Sequence, residues 1–87
     1  MKVKIAILTY GWVFVGVHLK DGTTHTLASA KNIRRHSTGK GLGFVARNGD
    51  ENVTLDEAGT IEFPESSLIG LIDCDDEKWE VPLGLEW

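Results

Sequence analysis

The apolar positions of the first thirty residues fall into short runs that predict β-strands. Residues 3–8, Val-Lys-Ile-Ala-Ile-Leu, are almost continuously apolar and of strand length, which predicts a buried strand ending at Thr9-Tyr10-Gly11. Residues 12–20 are β-branched and aromatic, and Asp21-Gly22 after them is a strong hairpin signal. Residues 23–28 then return as a second strand. A turn centred on Asp21-Gly22 sets Lys20 opposite Thr23, Leu19 opposite Thr24 and His18 opposite His25. Period-two alternation puts Val13, Val15, Val17 and Leu19 on one face. Phe14, Gly16 and His18 fall on the other, which meets His25 and Leu27 and is expected to be half exposed.

Beyond Ala28 the periodicity weakens. Residues 29–40 keep neither period and predict a turn or irregular crossing, with a short strand at Asn32-Ile33-Arg34-Arg35 as the one regular option. Leu42, Val45 and Ala46 are spaced for one apolar helical face, and Asn48-Gly49 supplies a stop, so a short helix is expected near 41–48. Gly41 and Gly43 work against it. Residues 50–59 are polar and loop-like. Thr60–Pro64 and Ser66–Cys74 predict two strands joined around Pro64-Glu65-Ser66, and Trp79-Glu80-Val81 a last short strand. The expected class is mainly β, a β-rich α+β fold. Its form is a small antiparallel curled sheet, or an SH3-like or Sm-like barrel of five or six strands, with one short helix.

Eighty-seven residues allow one domain spanning 1–87 and a modest core. No apolar run approaches the roughly 20 residues of a membrane span, and the apolar run after Lys4 is too short for a signal-peptide core. A cytoplasmic location and no membrane partner are the expectation. Cys74 is the only cysteine. It can form no internal disulfide and complete no cysteine-based zinc site, and a buried thiol is expected.

Charge is distributed unevenly. The chain carries −4 overall, yet residues 1–30 sum to +2, residues 31–47 to +5 and residues 48–87 to −11. Lys31, Arg34, Arg35, Lys40 and Arg47 occupy an acid-free island beside Gly39, Gly41 and Gly43. Flexible backbone amides and nearby cations are what a phosphate needs. The candidate ligand-binding residues are Asn32, Arg34, Arg35, His36, Thr38, Lys40, Gly41, Gly43 and Arg47. Tyr10 and Trp12 join them as aromatics able to stack on a base. The spacing is neither a Walker loop nor a Rossmann fingerprint. The other reading is a solvated loop whose cations pair with the acidic second half. A positive island inside an acidic chain argues against broad contact with nucleic acid.

His18 and His25, opposed on the hairpin, have no visible third ligand, so no metal is expected and a surface cross-strand pair is. In Asp73-Cys74-Asp75-Asp76-Glu77-Lys78, Lys78 stands where a calcium loop requires glycine. No catalytic motif is present, and neither enzymatic activity nor a cofactor is expected. Trp87 invites a subunit contact, hence a homo-oligomer.

Three separated motifs carry a resemblance. Asn-Ile-Arg-Arg followed by Gly41-Leu42-Gly43, then Gly59-Thr-Ile-Glu-Phe-Pro64, then Leu68-Ile-Gly-Leu-Ile-Asp-Cys-Asp-Asp-Glu-Lys-Trp79 resemble a group of small proteins of tailed phages, prophages and other mobile elements, filed as a domain of unknown function. The resemblance spans about Gly11 to Trp79. In that family a tryptophan often follows Asn-Ile-Arg-Arg, where this chain has His36. The resemblance implies a phage accessory context and no established activity. Together with the residues it leads to a non-enzymatic protein that binds a phosphate-bearing small molecule, a nucleotide or cyclic nucleotide, and could sequester a host defence signal. A module acting on a host protein, or a small RNA- or single-stranded-DNA-binding barrel, are the alternatives.

Overall fold

The computed structural model of the chain describes residues 2–36, 41–50 and 53–85, with backbone alone at 35 and 36. In order, the elements are β1 (Val3–Leu8), β2 (Val13–Asp21), β3 (Thr24–His36), α1 (Leu42–Asn48), β4 (Val53–Pro64), β5 (Leu68–Asp73) and α2 (Asp76–Leu83). Single 3-10 turns lie at Thr9–Gly11 and Glu65–Ser67. The strands form one antiparallel sheet, β4-β3-β2-β1-β5. The fold is mainly β with the expected short helix at α1. The sheet curls without closing into a barrel, because no ladder joins β4 to β5 among the described residues.

The curl follows from a corner across three strands. Gly16 of β2 stands at a register shift opposite the segment Ala28–Ala30 of β3, where Ser29 takes a φ of 51°. On the next strand Gly59, at a second shift, takes a φ of 73°. A Cβ on Gly16 would lie 3.0 Å from the Ala28 carbonyl oxygen and 3.1 Å from Leu27 Cβ, so the backbones approach there as only glycine allows. Bulges of this kind bend a strand and raise its twist. Each face of the bent sheet therefore buries a core. One joins Val3, Ile5, Val15, Val17 and Ile33 to Val45 and Ala46 of α1 and Trp79 and Leu83 of α2. The second, inside the curl, joins Ala6, Leu8, Leu27, Ala30 and Phe63. The face expected to be half exposed is this second core, with Leu27 and His25 both buried.

Four sequence expectations change. First, the hairpin pairs Asp21 with Thr24 and His18 with Leu27, so Gly22 and Thr23 are the central turn residues. Gly22 has a φ of 60° and Thr23 does not share the positive region, which is the type II′ arrangement with glycine first. A turn centred on Asp21 would have forced a non-glycine into that region. The partner shifts by two positions, so every side chain keeps its face. Second, β3 runs through the supposed irregular crossing as far as His36. Third, the polar stretch 53–59 belongs to β4, because Lys31 and Asn32 pair with Glu57 and Asp56 and supply the missing partners.

Fourth, Trp79-Glu80-Val81 is helical. Asp75 caps α2 by accepting the Glu77 amide at 3.2 Å, Asp76 and Glu77 occupy the first turn, and Gly84 closes the helix with a φ of 66°. Trp79 and Leu83, four residues apart, then face the sheet together.

The corner makes a paired prediction. Gly16→Ala should lower stability by about 1–3 kcal/mol through overpacking. Gly70→Ala, whose Cβ meets nothing within 4 Å, should be neutral or stabilise by roughly 0.4–1 kcal/mol. Urea melts of the two variants check it.

Candidate functional site

The basic island divides between the two sides of the sheet. Lys31 pairs with Glu57 at 3.0 Å and Arg34 with Asp56 at 3.2 Å, both across the β3–β4 ladder. Asn32, between them, donates to the Val13 carbonyl at 2.9 Å and ties β3 to the start of β2. Gly41 and Gly43 lie at the start of α1 and Arg47 in its last turn, on the side that packs over β1 and β5. Thr38 and Lys40 lie outside the described residues, as do the side chains of Arg35 and His36. The described residues thus bring Asn32 and Arg34 together and leave Gly41, Gly43 and Arg47 on the other side. Intramolecular pairing with the acidic half holds for Lys31 and Arg34. The Arg34 pair is largely exposed, and such pairs are worth about 0–1 kcal/mol, so a competing anion would displace Asp56 at little cost.

Tyr10 and Trp12 join Asn32 and Arg34 at this end of the sheet. Trp12 immediately precedes β2 and stacks on Phe14 with ring centroids 6.1 Å apart and planes 12° off parallel. Phe14 pairs with Asn32 across the ladder, and Asp56, the partner of Arg34, pairs with Asn32 on its other side. Trp12, Phe14 and Asn32 therefore share one face at the open end of β2 and β3, and Arg34, the extra residue at a register shift, is brought to it by its pair with Asp56. Trp12 is 57% exposed and Tyr10 98% exposed. Tyr10 also holds a φ of 65°, a left-handed conformation that costs a non-glycine residue about 1–3 kcal/mol. No burial of its ring offsets that cost.

At the opposite end of the hairpin the histidine pair is not a surface pair. His25 is 2% exposed and stacks on Phe63 at 5.5 Å and on His18 at 5.1 Å. His18 Nε2 and His25 Nδ1 share a hydrogen bond of 2.8 Å. His25 Nε2 has no hydrogen-bond partner and faces Glu65 Oε1 at 3.5 Å, an ion-pair separation, while Lys20 holds the same oxygen at 3.1 Å. A shallow groove of about 410 Å³ lies alongside, lined by Thr23, Pro64, Glu65 and Ser66. It is remote from Trp12 and contains none of the basic island. Among the described residues no group of three or more histidine, cysteine or acidic side chains is placed to hold a metal.

Cys74 packs half-buried against the helix-side core, not within β5. Burial, helped by Asp76 and Asp73, pushes its thiol up to about 12, which keeps it protonated and inert. Comparison with protein-family models and with curated proteins finds no match. The sequence reading missed Glu65 as the third member of the histidine cluster. The one available signal was its place in the link after Pro64, where the chain must turn back towards the hairpin.

Burial, then Lys4, His25 and Lys20, hold His18 below its ordinary value of 6.5, against an opposing contribution from Asp73. The unfolded chain therefore binds a proton at His18 before the folded chain does. Stability from this group is fully present above 6.5 and falls as pH drops below it. Denaturation midpoints measured across this range should decline towards acid, and His18→Gln should flatten that decline. Thiol titration should find Cys74 unreactive when folded and reactive in denaturant.

Proposed function

We propose that the chain is a non-enzymatic binding protein whose site is the Tyr10–Trp12–Arg34 end of the sheet. Its ligand is a small planar molecule carrying phosphate, a nucleotide or cyclic nucleotide. The observation that carries this reading is the pair of exposed aromatics, with Tyr10 held in a costly conformation and gaining no burial. Backbone outliers of this kind concentrate at functional sites. Trp12 supplies a stacking surface already oriented by Phe14, and stacking on such a ring is worth about 1–3 kcal/mol per base. Arg34 releases Asp56 and takes the phosphate with a bidentate fork. Asn32 holds β2 and β3 in register beneath them.

The resemblance to phage-encoded proteins gives this activity a setting: a small accessory protein that sequesters a host defence nucleotide. A second reading, an interaction module acting on a host protein, draws on the same exposed aromatics. Extended single-stranded nucleic acid fits less well, since residues 48–87 carry a net −11 and would repel a continuous backbone.

Calorimetry against a panel of mono-, di-, tri- and cyclic nucleotides tests the proposal. Binding of at least one is expected, weakened at least tenfold by Trp12→Ala and by Arg34→Ala, each change corresponding to about 1.4 kcal/mol or more. Absence of heat with every member would sink it. A host protein retained by Arg34→Ala and lost by Trp12→Ala in a pull-down would favour the second reading.

A further inference from the structure

The sheet has two free edges, and they are built differently. The β4 edge carries Asp56, Glu57 and Glu62, is interrupted at Gly59 and ends at Pro64. Charges, bulges and proline are the usual means of stopping an edge strand from pairing with another chain. The β5 edge, Leu-Ile-Gly-Leu-Ile-Asp, is uncharged until Asp73, and no strand lies on its far side among the described residues. Its one irregularity is a bulge against β1, where Leu8 pairs with Leu68, Ile7 with Gly70, and Ile69 is the extra residue. That bulge turns outward an isoleucine, not a charge, and Ile69 is 67% exposed.

We propose that β5 is a self-association edge, and that two copies of this chain pair there, antiparallel, into one continuous sheet. A twofold axis through Gly70 sets Ile69 opposite Leu71 of the second copy and Asp73 opposite its Ser67. No acid meets an acid in this register, and faces are conserved across the junction. Gly70 has no neighbour within 4 Å of an added Cβ and no positive φ, so nothing within one copy requires glycine there. At the axis it leaves room for the two backbones to approach. Pairing through β4 would instead have to run past the irregularity at Gly59 and Pro64, beside Asp56, Glu57 and Glu62 of both copies. A six-residue ladder is a small contact, so the dimer is weak and appears at high protein concentration. The inference is independent of the proposed ligand and is tested without one.

Light scattering after size exclusion, run to the highest soluble concentration, should show a concentration-dependent dimer. Ile69→Lys should abolish it while leaving the circular dichroism unchanged, and Val81→Lys, a substitution at a still more exposed apolar position on α2, should not. Amide exchange in residues 68–73 of the unaltered chain should slow as concentration rises. A monomer at every concentration, or a dimer that survives Ile69→Lys, overturns the proposal, as does loss of the dimer in Val81→Lys. Should Ile69→Lys fail to fold, the exchange measurement decides: protection of 68–73 independent of concentration is the overturning result.

Discussion

The architecture depends most on one buried indole. Trp79 is fully enclosed, and its Nε1 donates to the Ala46 carbonyl at 3.1 Å, which also accepts the Asp75 amide at 2.9 Å. That carbonyl belongs to the last turn of α1, where a helix has acceptors without internal donors. A seven-residue helix containing a glycine would not persist alone. α1 exists because α2 and the residue before it fill its open end. Gly49 completes the junction: its φ is 87°, and a Cβ there would sit 2.8 Å from the Lys78 carbonyl oxygen. Val3 is fastened to the same unit, its amide donating to Asp76 and its carbonyl accepting from Cys74. Two helices and the start of the first strand are thus locked through three neighbouring residues.

The other organising constraint is the bend at Gly16, Ser29 and Gly59. It lets a five-stranded sheet bury both of its faces, one beneath helices and one inside its own hollow. The hollow takes in a polar pair along with its apolar residues. His25 is enclosed with a ring nitrogen unsatisfied, a cost that buried polar groups ordinarily avoid. Its two stacking contacts and the hydrogen bond shared with His18 offset part of that cost, and Glu65 supplies a compensating field. The cluster joins the β2–β3 hairpin to the link between β4 and β5, and the Glu65 amide adds a bond to the Thr23 carbonyl at 2.8 Å.

Much of the fold was legible because alternation and turn chemistry are local. β1, β2, the hairpin, α1 and β5 follow from patterns within ten residues. The rest was hidden for a specific reason in each case. β4 looked like a loop because Asp56 and Glu57 are acidic, and their place in a strand is secured by Lys31 and Asn32 on a neighbour far away in sequence. Trp79 sits in a stretch of weak propensity, and only the cap at Asp75 and its burial against Ala46 make it helical. At the candidate site Tyr10 and Trp12 could be read as aromatics able to stack on a base, but neither their exposure nor their shared end with Arg34 could, since both depend on the pairing of β2 and β3. The pairing of Arg34 with Asp56 is a long-range result of the same kind.

The strand order carries a consequence for how the chain reaches this state. β1 to β4 pair in sequence order: β1 with β2 and β2 with β3 over short links, and β3 with β4 over the segment that holds α1. β5 pairs with β1 instead, and Val3 is held by Cys74 and Asp76 from the far end of the sequence. Those contacts span most of the sequence, and closing so long a loop carries the larger entropic cost. Until residues 68–76 arrive, β1 has one side unoccupied, and Ala46 lacks the donors that hold α1 in place. The β1–β4 meander thus closes its ladders at lower entropic cost than the β1–β5 pairing and the Val3 junction, on which the last strand and both helices depend.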